Sequence, residues 1–292
     1  MGATLTLWAM FGGLDASAQP TRAIRPVQTP AMQPAAGSVL LERLTSPELA
    51  ARIAAGTRTV LLPIGGTEQN GPHMVLGKHN VRVAILAERI AADLGNAVVA
   101  PVLAYVPEGG IDPPTQHMRY AGTISIPEPA FEATIEGAAR NLRHHGFTLI
   151  VLLGDHGGYA KSLRRAAERA DRAFAQGGAP ARVLLLQPYY DAAQHDFPAL
   201  LEKRGYSKAE IGTHAGLGDT SLALAVDPAL VRSEALAAPA GAKLEGVSGD
   251  PRRASAELGR VAIEHIVAVS VAAIRAAQRR DASSSAVHRD RP

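Results

Sequence analysis

The sequence contains no cysteine, and this absence removes several classes of chemistry. Disulfide bridges, zinc sites built on thiolates and a cysteine nucleophile are all excluded. Any metal must therefore be bound by histidine, aspartate or glutamate, which suits zinc, manganese, iron or magnesium. Aromatic residues make up only 4% of the chain. The net charge is a modest +3, and the basic residues form no block. We therefore expect no nucleic-acid partner.

The N-terminal apolar run, residues 5–14, is too short to span a bilayer as an ordinary helix, and we expect no membrane partner. Ala16-Ser17-Ala18 follows it and fits a small-x-small cleavage site, although the usual basic n-region is missing. We expect a signal peptide at residues 1–18, a flexible leader at 19–37 and a periplasmic or secreted protein, with a cytoplasmic one as the alternative. The polar tail at 281–292 is expected to be disordered.

Between these ends, strand and helix patterns alternate. Nearly continuous apolar runs predict buried strands at 59–64, 97–102, 148–153 and 182–187. Helical spacing predicts helices at 46–55, 81–94, 128–145, 159–176, 191–204, 220–226 and 251–280, the first with Ser46 as its N-cap. This order predicts a single α/β domain at 38–280, a layered sandwich with a mostly parallel sheet.

Three glycine-rich loops carry histidine beside a carboxylate. The loop at 67–80 holds Glu68 and His79, the loop at 154–158 holds Asp155 and His156, and the loop at 212–219 holds His214 with Asp219. A lone histidine beside glycine is usually a hydrogen-bonded loop residue, and an aspartate there can simply cap a helix. Strand-end loops of a parallel sheet meet at one edge, however, so the coincidence of all three loops indicates a metal site for hydrolysis.

Rival motifs are missing. No Gly-x-Ser-x-Gly pentapeptide is present for a serine nucleophile. The glycines at 65–66 are not followed by Gly-Lys-Ser/Thr, and the loop at 154–158 lacks the dinucleotide-binding spacing.

Five segments together resemble the creatininase (creatinine amidohydrolase) family. They are LPIGGTEQNGPH, VLGKHN, HMRYAGTISI, LLGDHGG and THAGLGDTSLAL, and they occur in this order between residues 60 and 231. The resemblance implies a three-layer α/β/α sandwich, often assembled as a hexamer, so we expect a homo-oligomer. It also implies hydrolysis of amide C–N bonds in small molecules with one or two divalent metals.

Compared with the family residue by residue, the chain resembles a divergent member. Glu68 matches the family's metal-binding glutamate and His156 the histidine of its Gly-His-Gly-Gly type loop. His79 stands where the family has a bridging aspartate, and Asn70 where it has a histidine. Because imidazole seldom bridges two ions, we expect one divalent metal, zinc before manganese or iron, on Glu68, His79 and His156.

The remaining site residues are expected to act on the substrate. His214, Asp219 and Asp155 are the candidates for the catalytic base, or for completing the coordination shell of the metal. The pocket wall is expected to come from His117, Arg119, Tyr120 and Tyr159. Arg119 would favour an anionic substrate if it faces the pocket, and a surface position is the equal alternative.

The resemblance also bears on the substrate. In creatininase a tryptophan partly closes the pocket, but the only tryptophan in this sequence is Trp8, in the expected signal peptide. Creatinine is therefore not expected. The favoured function is a metal-dependent amidohydrolase of EC 3.5 type, in which a metal-activated water cleaves a non-peptide C–N bond of a cyclic amide or formamide. Two alternatives stay open: a lactone or cyclic ester hydrolase on the same site, and a non-catalytic small-molecule binding protein with a degenerate metal site.

Overall fold

Four parallel strands form the central sheet of the computed structural model, which describes residues 37–177, 181–237 and 243–289. The strands are β1 (Thr59–Ile64), β2 (Ala97–Val99), β3 (Leu149–Gly154) and β4 (Arg182–Leu185). Their order across the sheet is β2-β1-β3-β4, and every neighbouring pair is parallel. The carboxyl ends of β1 and β3 therefore lie side by side, which brings the loops after them together.

Both faces of this sheet are covered. In β1, Leu61 faces one apolar core, whereas Val60 and Leu62 face the other. The same alternation runs along β3, where Val151 and Ile150 face opposite cores. A strand buried on two sides needs apolar residues at every position, which is why both strands could be predicted as continuous runs.

Helices form the two outer layers, which confirms the predicted three-layer α/β/α sandwich. The first core is closed by α2 (Lys78–Leu94), α5 (Gln187–Asp191), α6 (Phe197–Lys203), α8 (Leu217–Val226) and α9 (Ala256–Arg289). The second is closed by α3 (Glu128–His144) and α4 (Ala160–Gln176). Helices α1 (Ser46–Ala54) and α7 (Lys208–Ile211) complete the set in the described residues.

Several predicted boundaries are wrong at helix starts. The N-cap of α1 is Thr45 rather than Ser46, and it forms a capping box with Glu48. Helix α2 begins at Lys78 instead of residue 81, so His79 lies on a helix rather than in the preceding loop. Helix α8 begins at Leu217 instead of 220, which puts Asp219 in its first turn.

Other differences lie at element ends. Strands β2 and β4 are shorter than predicted. The helical stretch predicted at 191–204 begins earlier, with α5, and passes through a π-helical segment, Ala192–Asp196, before α6. Residues 251–253 form a separate 3-10 turn ahead of α9.

Helix α9 is the longest described element. Its segment Ala256–Arg280 is long and apolar enough to cross a membrane by length and composition alone, but Ile263, Ile266 and Ile274 are buried in the first core. The described part of this helix runs to Arg289, into the stretch from residue 281 that the sequence predicts to be disordered. The predicted signal peptide at 1–18 and the leader up to residue 36 lie outside the described residues, and the described residues belong to one compact unit.

Candidate active site

Glu68 lies at the centre of a buried cluster of histidines in the loop after β1. Its Oε1 is 2.8 Å from Nε2 of His79, and its Oε2 is 3.4 Å from Nε2 of both His156 and His117. Burial alone would raise the pKa of Glu68, but the hydrogen bond from His79 and the charge of Lys78 outweigh it and hold that pKa well below its usual range. Glu68 is therefore a permanent carboxylate at neutral pH.

His79, on the first turn of α2, is held from behind by a carboxylate. Its Nδ1 lies 2.6 Å from Oδ2 of Asp155, and its Nε2 lies 2.8 Å from Oε1 of Glu68. Asp155 is almost fully buried and also accepts bonds from Arg82 at 3.0 Å and from the Tyr189 hydroxyl at 2.6 Å. Burial alone would raise its pKa, but Arg82 lowers it. Asp155 therefore orients His79. Because its oxygens already accept from His79, Arg82 and Tyr189, the role of catalytic base that the sequence indicated for Asp155 does not fit this position.

His156 follows β3 in a tight loop that is shaped by a buried tyrosine. The Tyr159 hydroxyl accepts from the backbone N–H groups of Asp155 and His156, at 2.9 and 3.1 Å, and donates to the Ile64 carbonyl at 2.7 Å. Burial raises the pKa of Tyr159 well above its ordinary value. Because Tyr159 is fully buried, its predicted substrate contact is wrong: it supports the loop from below.

A second carboxylate stands behind His156. Oε2 of Glu108, from the loop between β2 and α3, lies 3.1 Å from Nδ1 of His156. Burial alone would lower the pKa of His156, but Glu108 and Glu68 raise it. No sequence motif marked Glu108 as a site residue, since it lies in an irregular loop rich in glycine and proline.

The other two histidines share a hydrogen-bonding partner, Gln69. Its Oε1 accepts from Gly71 N at 3.0 Å, which leaves Nε2 to donate to the Gly246 carbonyl and to Nδ1 of His117, both at 3.0 Å. The backbone carbonyl of Gln69 lies 2.9 Å from Nε2 of His214. This network assigns the ring protons: His117 carries its proton on Nε2, and His214 carries its proton on Nε2 and presents a bare Nδ1.

Two buried cations lie beside this cluster. Lys78 contacts Asp219 through Nζ and lies 3.7 Å from Oε1 of Glu68, and Arg82 pairs with Asp219 at 2.7 Å. Burial alone would raise the pKa of Asp219, but Lys78 and Arg82 hold it well below its usual range. Because these two cations occupy both carboxylate oxygens, Asp219 is less available as a base than the sequence indicated. Burial and the charge of Lys78 lower the pKa of His214 to about 4, which keeps this ring neutral at pH 7.

A cavity of about 290 Å³ opens beside the histidines. Of the predicted wall residues, His117 lines it, whereas Arg119, Tyr120 and Tyr159 are not among its described lining residues. The wall comes instead from the α5–α6 region and the loop before α8, including Tyr190, Gln194, Phe197, Pro198 and Thr213. In the α5–α6 region the sequence indicated only a helical stretch, so nothing marked its residues as pocket wall.

The donor set fits a divalent metal at the predicted position. Ligand atoms of Glu68, His79 and His156 lie within 4.8 Å of one another, and the same holds for Glu68, His117 and His214. Only the first group has a carboxylate behind each histidine, the arrangement that fixes metal-binding imidazoles in proteins. Glu68 Oε2 is also buried with no hydrogen-bond partner in the described part of the chain. The first group is therefore the better metal site.

The family model described as Creatininase, creatinine amidohydrolase, matches residues 42–274. A creatinine amidohydrolase of Pseudomonas putida is 29% identical over 202 residues, which cover 66% of this chain and 74% of that protein. A mycofactocin precursor peptide peptidase of Mycobacterium tuberculosis (strain ATCC 25618 / H37Rv) is 29% identical over 238 residues, which cover 69% of this chain and 78% of that protein.

Solved structures agree with this match. A structure named Creatininase Mn has a TM-score of 0.68 at 27% identity and covers 82% of this chain and 98% of that chain. A mutant creatininase of Zn-Zn type has a TM-score of 0.65 at 27% identity, covering 82% of this chain and 97% of that chain. Sheet order, site position and these matches lead to one conclusion: the chain belongs to the creatinine amidohydrolase (Creatininase) family.

Proposed function

We propose that the chain is a metal-dependent amidohydrolase that cleaves the C–N bond of a small, uncharged cyclic amide or formamide. The observation that carries this proposal is that the four histidines around Glu68 fall into two pairs with different partners. His79 and His156 have carboxylates behind them and suit a metal, whereas His117 and His214 are held by Gln69 in opposite roles toward the cavity.

Glu68, His79 and His156 would hold the ion, with zinc favoured and manganese or iron as alternatives. A bound divalent ion supplies Lewis-acid polarisation of a carbonyl and lowers the pKa of a water molecule. In the described part of the chain, the neighbourhood of the site carries two more negative charges than positive ones when the histidines are neutral. These charges belong to Glu68, Glu108, Asp155, Asp219, Lys78 and Arg82. One divalent ion would balance them, which supports a single metal rather than two.

His117 and His214 are suited to the two proton tasks of amide hydrolysis. Their rings are 4.4 Å apart between centroids and both line the cavity. His117 offers an Nε2–H donor to the oxygen on which negative charge develops. His214 offers a bare Nδ1 that accepts the proton lost by the attacking water and returns it to the leaving nitrogen.

The cavity supports a small and uncharged substrate. Its volume lies at the lower end of the range for ligand sites. Lys78 is the described cation in its lining, and Asp219 already neutralises it, so no anionic group is expected on the substrate. Trp8, the only tryptophan, lies outside the described residues, and creatinine itself is not proposed. The relatives named as peptidases favour one second candidate, a short peptide with its terminal amide in this cavity.

The test is turnover by zinc- or manganese-loaded protein on cyclic amides, formamides, lactones and dipeptides. We expect His117→Gln to lower kcat by about 10²- to 10³-fold and His214→Gln by about 10²- to 10⁴-fold, each with the metal retained. His195→Gln, whose ring is 69% exposed, is the matched control and should leave kcat unchanged. If lactones are hydrolysed faster than amides, the substrate is a cyclic ester and the amide proposal is wrong. Loss of the metal in His117→Gln, with no turnover of any substrate, would remove the proposed roles.

A further inference from the structure

Glu108 is a buried carboxylate behind His156 and is not among the described lining residues of the cavity. It is 1% exposed, and neither carboxylate oxygen accepts a well-aligned hydrogen bond from the residues described. Its Oε2 nevertheless lies 3.1 Å from Nδ1 of His156. An unpartnered carboxylate in a protein interior is costly, so its persistence here calls for a compensating role at this contact.

His156 has two competing partners at the same nitrogen. The backbone N–H of Gly158 points at Nδ1 from 3.3 Å and would make that atom an acceptor. The ring proton would then lie on Nε2, directed at Glu68 Oε2 3.4 Å away, and Nε2 would have no lone pair for a metal. A hydrogen bond to Glu108 requires the opposite arrangement. An ionised carboxylate only accepts hydrogen bonds, so the ring proton of His156 must then lie on Nδ1.

Distance and charge both favour Glu108. Its contact with Nδ1 is the shorter of the two, and a hydrogen bond to a charged acceptor is about twice as strong as one between neutral groups. The backbone next to it is fixed as well, since Glu108 N donates to Ser125 Oγ at 3.0 Å and Ser125 Oγ donates to the Gly109 carbonyl at 2.7 Å. The backbone that carries the carboxylate is therefore fixed beside His156.

The other carboxylate oxygen of Glu108, Oε1, packs against Gly66. This residue has a φ of +152°, and a Cβ there would come within 2.4 Å of Glu108 Oε1. A side chain at this position would therefore displace the carboxylate from the place it has in this structure.

We propose that Glu108 is a positioning residue that selects the Nδ1–H tautomer of His156 and so turns the Nε2 lone pair toward Glu68. Glu108 then does for His156 what Asp155 does for His79, and the two carboxylate–histidine pairs converge on one carboxylate. The inference rests on the proposed function, because the presented lone pair matters only if a metal is bound there.

The experiment has two readouts on Glu108→Ala. The first is the dissociation constant for zinc, measured against a competing chelator. The second is the tautomer of His156 in metal-free protein at alkaline pH, read from ring ¹⁵N shifts and assigned by difference with His156→Asn. We expect zinc binding to weaken by about 10- to 100-fold, and the ring proton to move from Nδ1 to Nε2. Arg119→Ala, exposed in the same loop, is the control and should change neither readout.

Glu108→Gln keeps the side-chain volume and serves if Glu108→Ala does not fold. Its uncharged amide is expected to weaken zinc binding by about tenfold. An unchanged tautomer, or zinc affinity within twofold of wild type in both variants, would overturn the proposal. If the wild type binds no zinc but the tautomer still switches in Glu108→Ala, the positioning role holds and the proposed metal-dependent function fails.

Discussion

Replacing Arg82 by methionine should destabilise the protein severely. The Arg82 guanidinium is 2% exposed and pairs with Asp155 at 2.8 Å and with Asp219 at 2.7 Å, which leaves two carboxylates uncompensated when it is removed. Breaking a buried ion pair by removing one partner costs about 3–5 kcal/mol. For a domain of this size each kcal/mol shifts the Tm by about 2–4 °C, so we expect a loss of about 6–20 °C.

The matched control lies two turns further along the same helix. Arg89 pairs with Glu264 at the same distance of 2.7 Å, but the two side chains are 41% and 69% exposed. An exposed pair contributes about 0–1 kcal/mol, so Arg89→Met should lower the Tm by no more than about 4 °C. Both variants are melted by calorimetry in the presence of a chelator, because a bound metal would add its own stability. Equal losses in the two variants would refute the argument that burial decides the effect.

Two further predictions concern stability away from the metal. The backbone N–H and hydroxyl of Ser207 hold the pKa of Glu210 at about 2, below its unfolded value of about 4.5. The stabilisation is therefore complete above that unfolded value and disappears as the pH falls toward 2, so in urea titrations the stability gap between wild type and Glu210→Gln should close over this window. A gap that is constant from pH 7 to 2 would contradict this. Gly212 has a φ of +63° and would place a Cβ 1.8 Å from the Ser248 carbonyl oxygen, so Gly212→Ala should lose at least about 1–3 kcal/mol, whereas Gly137→Ala, in open space within a helix, should gain about 0.5–1 kcal/mol. Similar unfolding midpoints for the two variants would contradict this reasoning.

The sheet and the proximity of Glu68 to His156 could be predicted because local pattern determines them. Strands β1 and β3 are buried on both faces, which the sequence records as unbroken apolar runs. The loops that follow two neighbouring parallel strands must meet, so Glu68 and His156 could be grouped before the structure was known. The position of His79 on a helix was missed, because Gly77 caps α2 without any side-chain hydrogen bond and leaves no N-cap signature.

The supporting residues could not be predicted, because their roles arise from contacts between distant parts of the chain. Asp155 was seen as a catalytic candidate by residue type, but only the fold shows Arg82 from α2 occupying its oxygens. Glu108 sits in an irregular loop, where neither periodicity nor capping indicates the direction of a side chain. Arg119 lies in the same loop, and nothing local indicated that it would not be among the described residues of the cavity lining.

The count of metal ions per chain, by native mass spectrometry with elemental analysis, tests the central claim most directly. Wild type, His79→Ala and His117→Ala are compared after loading with zinc and gel filtration. We expect about one ion in wild type and in His117→Ala, and none retained in His79→Ala. Two ions in wild type, or one ion that survives in His79→Ala and is lost in His117→Ala, would contradict it and move the metal to the group formed by Glu68, His117 and His214.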